Sequence, residues 1–557
     1  MILLFAGVVC TSVPAVISAA DRTGKPVPIP PVTSIARSDF GMAATGSPEA
    51  TEAAVDILQQ GGNAIDAAVA AALMLGVADP DASGLGGMTY MVIHLADGRT
   101  LVVDGTSPTP QGVNPERLRE LKEKNDLFGY ALVAVPTTLA VLERARVRFG
   151  TMDMASLIAP SIEVAERGHR LSPIQIVWTN VYYDHIMTTD YLRFLAFADG
   201  ETLGQVGDIV CRPDLVRTLR HIARYGVSSF YRGRIADLIE ADMIGGGGFV
   251  RKSDLAALRI KEVDPLHTNY RGTDVYTVPQ PGGGTPVIEA LNILETYPSA
   301  FLAEDSVERH HVLIETFRIA LADRGLASES VDPLRNALNP ALTKEHAQRR
   351  AHQIVPGEVI PDSDLFGPVD PECAPTGEST TQVSVADRWG NVVSLTQTLG
   401  RSYGAEVATP GLGFPYNSLL ESFNFDNLNV RAISRPASPA PTTWRQPSCS
   451  PPTARFWPQS VHQAATASRR LSPTSSAIWW IGKWGSRRQL RLRGFSMEGF
   501  VPTFSHPSKF SIQSPTLMST TSRKWVTSQL NGTTTQLSRD GVCFSAAPTP
   551  SVGTQMP

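Results

Sequence analysis

The residues best suited to chemistry in this sequence are two adjacent threonines, Thr380 and Thr381, which begin a segment of alternating polar and apolar residues. A threonine hydroxyl is a weak nucleophile and needs a neighbouring base. Cleavage of the chain before Thr380 would supply that base, because the freed α-amine has an ordinary pKa of about 7.7–8.0. The alternative is an unreactive solvent-edge strand, since a Thr-Thr pair is common in strands.

A second hydroxyl is predicted to lie opposite the first. Two alternating segments flank residues 388–390, Arg-Trp-Gly, which are typical of a hairpin turn. If Asp387 pairs with Asn391 across that turn, Thr398 faces Thr380 on the neighbouring strand, with the two Cβ atoms about 4.5–5.5 Å apart. The alternative is an ordinary cross-strand contact between two threonines.

The elements that must position this hairpin lie early in the chain. Apolar residues at helical spacing predict a helix over 48–60 that ends at Gly61-Gly62. Asn63 can cap a second helix over 64–75, which is apolar on nearly every side and is therefore expected to be buried. A glycine-rich turn then leads into a predicted strand at 88–95.

The middle of the chain mixes helices and strands. Residues 131–262 are predicted to be mostly helical. A predicted strand over 270–278, a glycine- and proline-rich loop over 279–285, and two helices near 286–296 and 306–324 follow.

Composition excludes some classes of partner. The 557 residues carry a net charge of -4 and the sequence pI is about 6.3, so the chain has no basic field for nucleic acid. Its five cysteines are scattered, without a Cys-x-x-Cys pair, so neither a disulfide framework nor a zinc site is expected. The length allows one large α/β unit or roughly two to four domains.

Residues 1–20 are apolar and end in Ser18-Ala19-Ala20, which resembles a signal peptide with its small-residue cleavage site. No positively charged segment precedes the apolar run, so a buried strand or a wrongly assigned start is the alternative. The compartment therefore stays open between export and the cytoplasm. No later segment reaches the roughly 18 apolar residues needed to span a bilayer.

Several segments, taken in order, carry a family resemblance. They are Gly41-Met42-Ala43-Ala44, Ala53-Ala54-Val55-Asp56-Ile57-Leu58-Gln59-Gln60-Gly61-Gly62-Asn63-Ala64-Ile65-Asp66-Ala67-Ala68-Val69-Ala70, Gly84-Leu85-Gly86-Gly87-Met88, Tyr270-Arg271-Gly272 with Val275-Tyr276, Ala322-Asp323-Arg324, and the segment that begins at Thr380. Each alone is weak, but their combination is specific. Over about residues 38–425 the chain resembles the γ-glutamyltransferases (glutathione hydrolases), which belong to the N-terminal nucleophile hydrolase superfamily.

The resemblance implies a four-layer αββα sandwich of the N-terminal nucleophile hydrolase type. It also implies self-cleavage between Ser379 and Thr380. That cleavage would separate a large-subunit-like region, 21–379, from the start of a small-subunit-like region, 380–430. Thr380 would be the nucleophile in maturation and in turnover, and Thr398 would position or activate it.

The implied reaction is acyl transfer through an acyl-threonine intermediate. The substrate would be a small γ-glutamyl amide such as glutathione, and water or an amino acid would accept the acyl group. The resemblance implies no metal and no cofactor, and the protein partners would be the large and small subunits of one precursor. Asp323-Arg324 is interpreted as a structural ion pair of the family fold.

The positions that match the family's substrate contacts depart from its pattern. Thr106 stands where the family has an arginine that clamps the substrate α-carboxylate. Leu419 and Ser422 stand where a glutamine and an aspartate bind the α-amine, and Gly400 replaces an asparagine just after the second threonine. Neutral side chains cannot replace charge-assisted contacts to a glutamyl zwitterion.

Two interpretations of the substrate follow. Charged residues nearby, Arg401 and Glu421, could compensate for the lost contacts and preserve γ-glutamyl specificity. Alternatively the substrate is another amide, as in the related glutaryl and cephalosporin acylases, and the missing arginine favours this option.

The segment 431–557 differs from the rest of the chain. It is rich in Ser, Thr, Pro and Arg and lacks sustained periodicity, which is typical of a disordered tail. The preferred hypothesis is a frameshift, because out-of-frame translations of 443–449, 459–468 and 477–495 resemble the family's missing C-terminal motifs in order. The sandwich would then be incomplete and the chain an inactive, truncated family member. Sequencing the gene through the codons for 425–450 tests this hypothesis.

Overall fold

A computed structural model gives the fold and describes residues 38–124, 128–188, 192, 204–327, 339–366 and 378–422. The predictions for residues 1–20 and 431–557 therefore lie outside the described residues. The boundaries of the regions 21–379 and 380–430 stay predictions. Within the described residues, no helix is both long and apolar enough to cross a bilayer.

The described elements alternate between helices and short strands. The strands are β1 Gly41–Thr45, β2 Met88–His94, β3 Thr100–Asp104, β4 His169–Arg170, β5 Ile209–Val210, β6 Lys261–Val263, β7 Leu266–Tyr270, β8 Thr273–Thr277, β9 Glu378–Asp387 and β10 Val392–Arg401. The α-helices are α1 Pro48–Gln59, α2 Ala64–Ala78, α3 Pro115–Glu123, α4 Thr138–Phe149, α5 Met154–Arg167, α6 Pro173–Val181, α7 Tyr183–Thr188, α8 Pro213–Tyr225, α9 Ser228–Tyr231, α10 Arg234–Gly245, α11 Lys252–Ala257, α12 Gly284–Glu295, α13 Ser299–Ala303, α14 Val307–Ala327, α15 Lys344–Ala351 and α16 Asp362–Phe366.

The largest sheet holds the predicted hairpin in its interior. Its six strands run in the order β1-β9-β10-β2-β3-β6, and every neighbouring pair is antiparallel. β9 and β10 form the hairpin, with β1 on one side and β2 on the other. The strand that carries the threonine pair is therefore an interior strand, although β1 pairs only with its residues 383–387. Thr381 is nevertheless buried, which argues against a solvent-exposed edge at that residue.

One face of this sheet packs on helices led by α1 and α2. Ser47 caps α1, and Asn63 caps α2 in a capping box with Asp66. Every residue of α2 is buried, as its apolar composition predicts. Both helices are confirmed, and α2 continues to Ala78 rather than ending at Leu75. The sheet contributes apolar side chains to the same core, among them Val383, Val385, Val393, Leu395, Met91 and Ile93.

The opposite face of the sheet packs on a second, smaller sheet. Val278, just after β8, joins Met88 and Tyr90 in one apolar cluster, and the rings of Tyr276 and His94 have centroids 6.4 Å apart. The β7–β8 hairpin is covered in turn by α12, which packs on α14 and α15. The order of the layers is helices, large sheet, small sheet and helices, which confirms the predicted four-layer αββα architecture. In the part of the chain that the structure describes, the second sheet has two strands.

The predicted strand over 270–278 is confirmed over Thr273–Thr277, but its start is wrong, because Tyr270 ends the preceding strand β7. The chain reverses at Arg271-Gly272, where φ is 51° and 82°, and the two strands on either side pair with each other. Left-handed backbone at a non-glycine residue is uncommon, and the residue type of Arg271 does not signal it. The first strand of the pair therefore begins earlier, at Leu266.

The interpretation of Asp323-Arg324 as an ion pair is also wrong. The Asp323 carboxylate pairs with Arg350 and accepts a hydrogen bond from His346 on α15. Arg324 instead donates to the carbonyl oxygen of Pro281 at 3.2 Å. Consecutive residues on a helix point to different sides of it, so these two neighbours on α14 contact different elements.

Of the five cysteines, Cys211 alone lies within the described residues. The expectation that the cysteines form neither a disulfide framework nor a zinc site therefore stays a prediction.

Candidate active site

Asp387 holds the turn of the hairpin that carries the two threonines. Its buried carboxylate accepts hydrogen bonds from the backbone N–H groups of Trp389, Gly390 and Asn391 at 2.9–3.0 Å. It also accepts the N–H of Ala64, the first residue of α2, at 2.9 Å. These bonds fix the turn, and Asp387 pairs with Asn391 as the sequence predicts.

Thr380 and Thr398 lie opposite each other on β9 and β10, in the predicted register. The Thr380 hydroxyl donates to Thr398 Oγ at 3.1 Å, and the Thr398 hydroxyl donates to the carbonyl oxygen of Ser379 at 2.7 Å. The N–H of Gly400 donates to Thr398 Oγ at 2.9 Å. A shift of register between Thr398 and Gly400 turns that N–H toward the hydroxyl.

This arrangement fixes the direction of both hydroxyl protons. A threonine hydroxyl has one proton and two acceptor positions, and all three are used at Thr398. The carbonyl of Ser379, immediately before Thr380, is therefore polarised by a hydroxyl. A polarised carbonyl beside a hydroxyl that can pass on its proton suits attack of Thr380 on the preceding peptide bond.

Two of the predicted substrate positions, Gly400 and Leu419, lie beside Thr398. Gly400 has a φ of +93°, and a Cβ there would be 2.6 Å from Ser418 Oγ, so a larger residue does not fit without a shift. The Leu419 side chain lies 3.6 Å from that point and packs against the apolar cluster that contains Met88. Leu419 therefore brings an apolar side chain to this point beside Thr398, next to the Ser418 hydroxyl.

Thr106 is held in a polar chain on the same face of the sheet. Its hydroxyl donates to Asp104 Oδ1 at 2.7 Å and lies 2.6 Å from the Tyr90 hydroxyl, which therefore donates to it. Burial, reinforced by the Asp104 charge, raises the pKa of Tyr90, which is neutral as a result. Tyr90 pairs with Thr396, two residues from Thr398. Sequence reasoning missed Tyr90 and Asp104, because only the pairing of β2 with its neighbours brings them together.

Arg324 brings a positive charge to this region. Its charge acts on the Tyr90 hydroxyl and opposes the effect of burial on the pKa of that group. Its guanidinium is anchored to the carbonyl oxygen of Pro281.

Ser422, the fourth predicted position, ends the short turn Leu419–Ser422, and its side chain lies outside the described residues. The start of that turn is anchored by Asn417, which is fully buried. Its amide donates to the carbonyl oxygens of Gly86 and Ala134 and accepts the N–H of Ala134. This anchor places Leu419 against the hairpin.

Arg401 and Glu421 contact each other. The Nε atom of Arg401 lies 2.9 Å from Glu421 Oε2, and its guanidinium stacks 4.5 Å from the centre of the Phe128 ring. A second carboxyl, that of Glu406, lies within reach of this charge, and burial raises its pKa to about 8. The two charges proposed to compensate for the lost substrate contacts therefore neutralise each other in this structure.

Within the described residues, one group of side chains has the donors and spacing to hold a metal ion: Glu289, Asp323 and His346. Arg350 already pairs with Asp323. Burial and the neighbouring Asp323 carboxylate raise the pKa of Glu289 well above its usual range. A proton and a guanidinium thus balance the charge between these carboxyls, and the group lies in the outer helix layer, away from the threonines.

Solved structures share this fold. The cephalosporin acylase from Bacillus halodurans is 29% identical and superposes with a TM-score of 0.60, over 72% of this chain and 73% of that one. The gamma-glutamyltranspeptidase of Helicobacter pylori is 31% identical with a TM-score of 0.55, over 60% of this chain and 97% of that one. The four-layer sandwich thus places this protein among the N-terminal nucleophile hydrolases.

The sequence comparisons are more specific. The gamma-glutamyltranspeptidase family model matches residues 50–453. The glutathione hydrolase proenzyme of Pseudomonas sp. (strain A14) is 34% identical over 399 residues, which are 69% of this chain and 68% of that protein. The acylase ACY 1 proenzyme of Pseudomonas sp. (strain V22) is 33% identical over 432 residues, 73% of this chain and 75% of that protein. The chain belongs to the gamma-glutamyltranspeptidase family.

Proposed function

We propose that this protein is a self-processing threonine amidase that hydrolyses or transfers the acyl group of a small amide through an acyl-Thr380 intermediate. The observation that carries the proposal is the series of hydrogen bonds from Thr380 through Thr398 to the Ser379 carbonyl. The similarity to proteins named as proenzymes supports it.

Self-cleavage begins when Thr380 Oγ attacks the carbonyl carbon of Ser379. The Oγ proton moves toward Thr398, whose own hydroxyl stabilises the charge that develops on the carbonyl oxygen. The C–N bond between the two residues then breaks, its nitrogen takes up the proton lost by Oγ, and an ester remains on Thr380. Water hydrolyses the ester, which leaves a carboxylate on Ser379 and a free α-amine on Thr380.

Turnover uses the same oxygen with a new base. The α-amine of Thr380 accepts the Oγ proton while Oγ attacks the substrate carbonyl, and the departing amine carries that proton away. The acyl group is then an ester of Thr380. Attack by water completes hydrolysis, and attack by an amine completes transfer. None of these steps requires a metal or a cofactor.

Two classes of acyl group are candidates: γ-glutamyl, as in glutathione, and an acyl chain without the α-amine, such as glutaryl. The second is favoured by Leu419, an apolar side chain beside Gly400 that offers no acceptor to an α-amine.

A matched pair of chromogenic amides tests the choice of substrate. The nitroanilides of γ-glutamate and of glutarate differ only in the α-amine, so their kcat/KM ratio isolates the contribution of that group. A ratio that favours glutaryl supports an acylase. A ratio that favours γ-glutamyl supports a γ-glutamyltransferase.

A third candidate is an inactive, truncated family member. It is favoured by the two-stranded second sheet in the described part of the chain, and by matches that cover 68–75% of the curated relatives cited above. Such a chain would not mature.

Intact-mass spectrometry with N-terminal sequencing of the purified full chain tests the main proposal. We expect two fragments and a new N-terminus at Thr380, and a single chain from the Thr380→Ala variant. Thr396→Ala is the matched control, because Thr396 lies on the same face and bonds Gln382 rather than Thr398. A single mass near 60.0 kDa for the unaltered chain would instead support the inactive member.

A further inference from the structure

A buried polar row lies beneath the reactive threonines. The helix-facing side of the sheet is otherwise lined by apolar residues such as Val383 and Leu395. At the next pairing position, however, Thr381, Gln397 and Thr89 point into the same layer and are almost fully buried. Burying polar side chains is unfavourable unless they are hydrogen-bonded, so each of these three side chains needs a hydrogen-bond partner.

Asp79 is the acidic neighbour of Thr381 in this layer. Its carboxyl, which follows the last residue of α2, lies beside the Thr381 hydroxyl, and both face Gly46. A Cβ on Gly46 would lie 2.3 Å from Thr381 Oγ and 3.2 Å from Asp79 Oδ2. Glycine at position 46 therefore leaves room for this contact directly behind the nucleophile strand.

The loop that carries Asp79 also hydrogen-bonds to β10, the strand of Thr398, and to the chain just after it. The carbonyl oxygen of Ala82 accepts the N–H of Leu399 at 3.2 Å, and that of Asp81 accepts the N–H of Tyr403 at 2.8 Å. One short loop thus contacts β9 through a side chain and β10 through its backbone. It spans the two strands at the level where Thr380 meets Thr398.

Two buried carboxyls, those of Asp79 and Asp81, lie in this loop. Burial raises the pKa of Asp79 to about 6, and burial together with the Asp79 charge raises the pKa of Asp81 well above its usual range. Arg212 is the cation that faces Asp81. Burial lowers the pKa of His169, also beside Arg212, to about 3, and burial raises that of Tyr403, so both are uncharged.

We propose that Asp79 is a positioning residue for the threonine chemistry: its carboxylate accepts a hydrogen bond from the neighbouring Thr381 hydroxyl and so fixes the backbone of β9, which holds Thr380 against Thr398. The proposal rests on the proposed function. A charged acceptor holds a hydroxyl about twice as strongly as a neutral one. Displacement of a reacting group by about 1 Å can slow a reaction on the order of 100-fold.

The first test measures self-cleavage of the full chain as a function of pH. Asp79→Asn and Thr381→Val should slow it by roughly 10- to 100-fold, and Thr381→Ser, which keeps the hydroxyl, should restore it. The unaltered chain should lose rate as pH falls through about 6, where Asp79 becomes protonated, and Asp79→Asn should lack that decline. Asp56→Asn, on the exposed side of α1, is the matched control.

The outcomes separate the two proposals. If Thr380→Ala still cleaves, the proposed nucleophile is wrong. If Thr380→Ala is inert while Asp79→Asn and Thr381→Val cleave with the rate and pH profile of the unaltered chain, the role of Asp79 is overturned and the nucleophile stands.

A second measurement does not depend on cleavage. Hydrogen–deuterium exchange of the peptide that contains Thr380 and Thr381 is followed in the Thr380→Ala background, where the chain stays intact. Asp79→Asn should increase exchange there, and Asp56→Asn should not. Equal exchange in the two variants would overturn the proposal even for a chain that never matures.

Discussion

The carboxylate of Asp387 accepts the backbone N–H of Ala64 at 2.9 Å, across 323 residues of chain. This bond joins the turn of the β9–β10 hairpin to the first residue of the buried helix α2. A helix N-terminus has unsatisfied N–H groups and a positive dipole end, so it is a favourable site for a carboxylate. The position of Thr380 and Thr398 along the sheet thus depends on a helix far away in sequence.

Removing this carboxylate should destabilise the whole hairpin. In Asp387→Ala the buried N–H of Ala64 loses its acceptor, and the hydrogen bonds that hold the exposed turn at Trp389 and Gly390 are lost as well. We expect the free energy of unfolding to fall by roughly 3 kcal/mol, measured by urea denaturation. Asp97→Ala, at the exposed turn between β2 and β3, is the control and should cost less than about 1 kcal/mol. Equal losses in the two variants would show that the hairpin does not depend on this bond.

The Thr398 hydroxyl should matter more for cleavage than for folding. Thr398→Val removes the donor to the Ser379 carbonyl and should slow self-cleavage by about 100- to 1,000-fold, the usual effect of losing one oxyanion donor. Thr398→Ser keeps the hydroxyl and should retain most of the rate. Rates are read from the fraction of intact chain over time on a denaturing gel. If Thr398→Val cleaves at the same rate as the unaltered chain, Thr398 takes no part in the reaction.

The elements that local patterns specify were predictable. Helical spacing with an Asn63 cap predicts α2, and strict alternation around a short turn predicts the register of Thr380 with Thr398. The contacts that join distant elements could not be predicted. Tyr90 with Thr106, and Asp79 with Thr381, meet only after the sheet and α2 are packed, and nothing in the residues between them signals those meetings.

The residue at position 419 should influence which acyl group is accepted. Leucine offers no acceptor to a substrate α-amine, whereas a glutamine carbonyl does. Leu419→Gln should therefore raise the kcat/KM ratio for γ-glutamyl over glutaryl nitroanilide by roughly tenfold, the value of one hydrogen bond to a charged group. Leu419→Met, which conserves volume, should leave the ratio unchanged. A ratio that does not move with glutamine would place the α-amine site elsewhere.

The buried Glu289 should make the protein less stable as pH rises. Burial and the Asp323 carboxylate raise the pKa of Glu289 in the folded state above its unfolded value of about 4.5. The folded state then binds more protons than the unfolded state above that pH, so the free energy of unfolding falls as pH increases toward the folded-state pKa. Glu289→Gln, which imitates the protonated acid, should remove this decline and raise the Tm at pH 8 relative to the unaltered chain.

Glu345→Gln, exposed on the neighbouring α15, is the control and should keep the decline. Calorimetric Tm values measured across pH test both variants. If the decline persists in Glu289→Gln, another group is responsible and Glu289 is ionised in the folded protein.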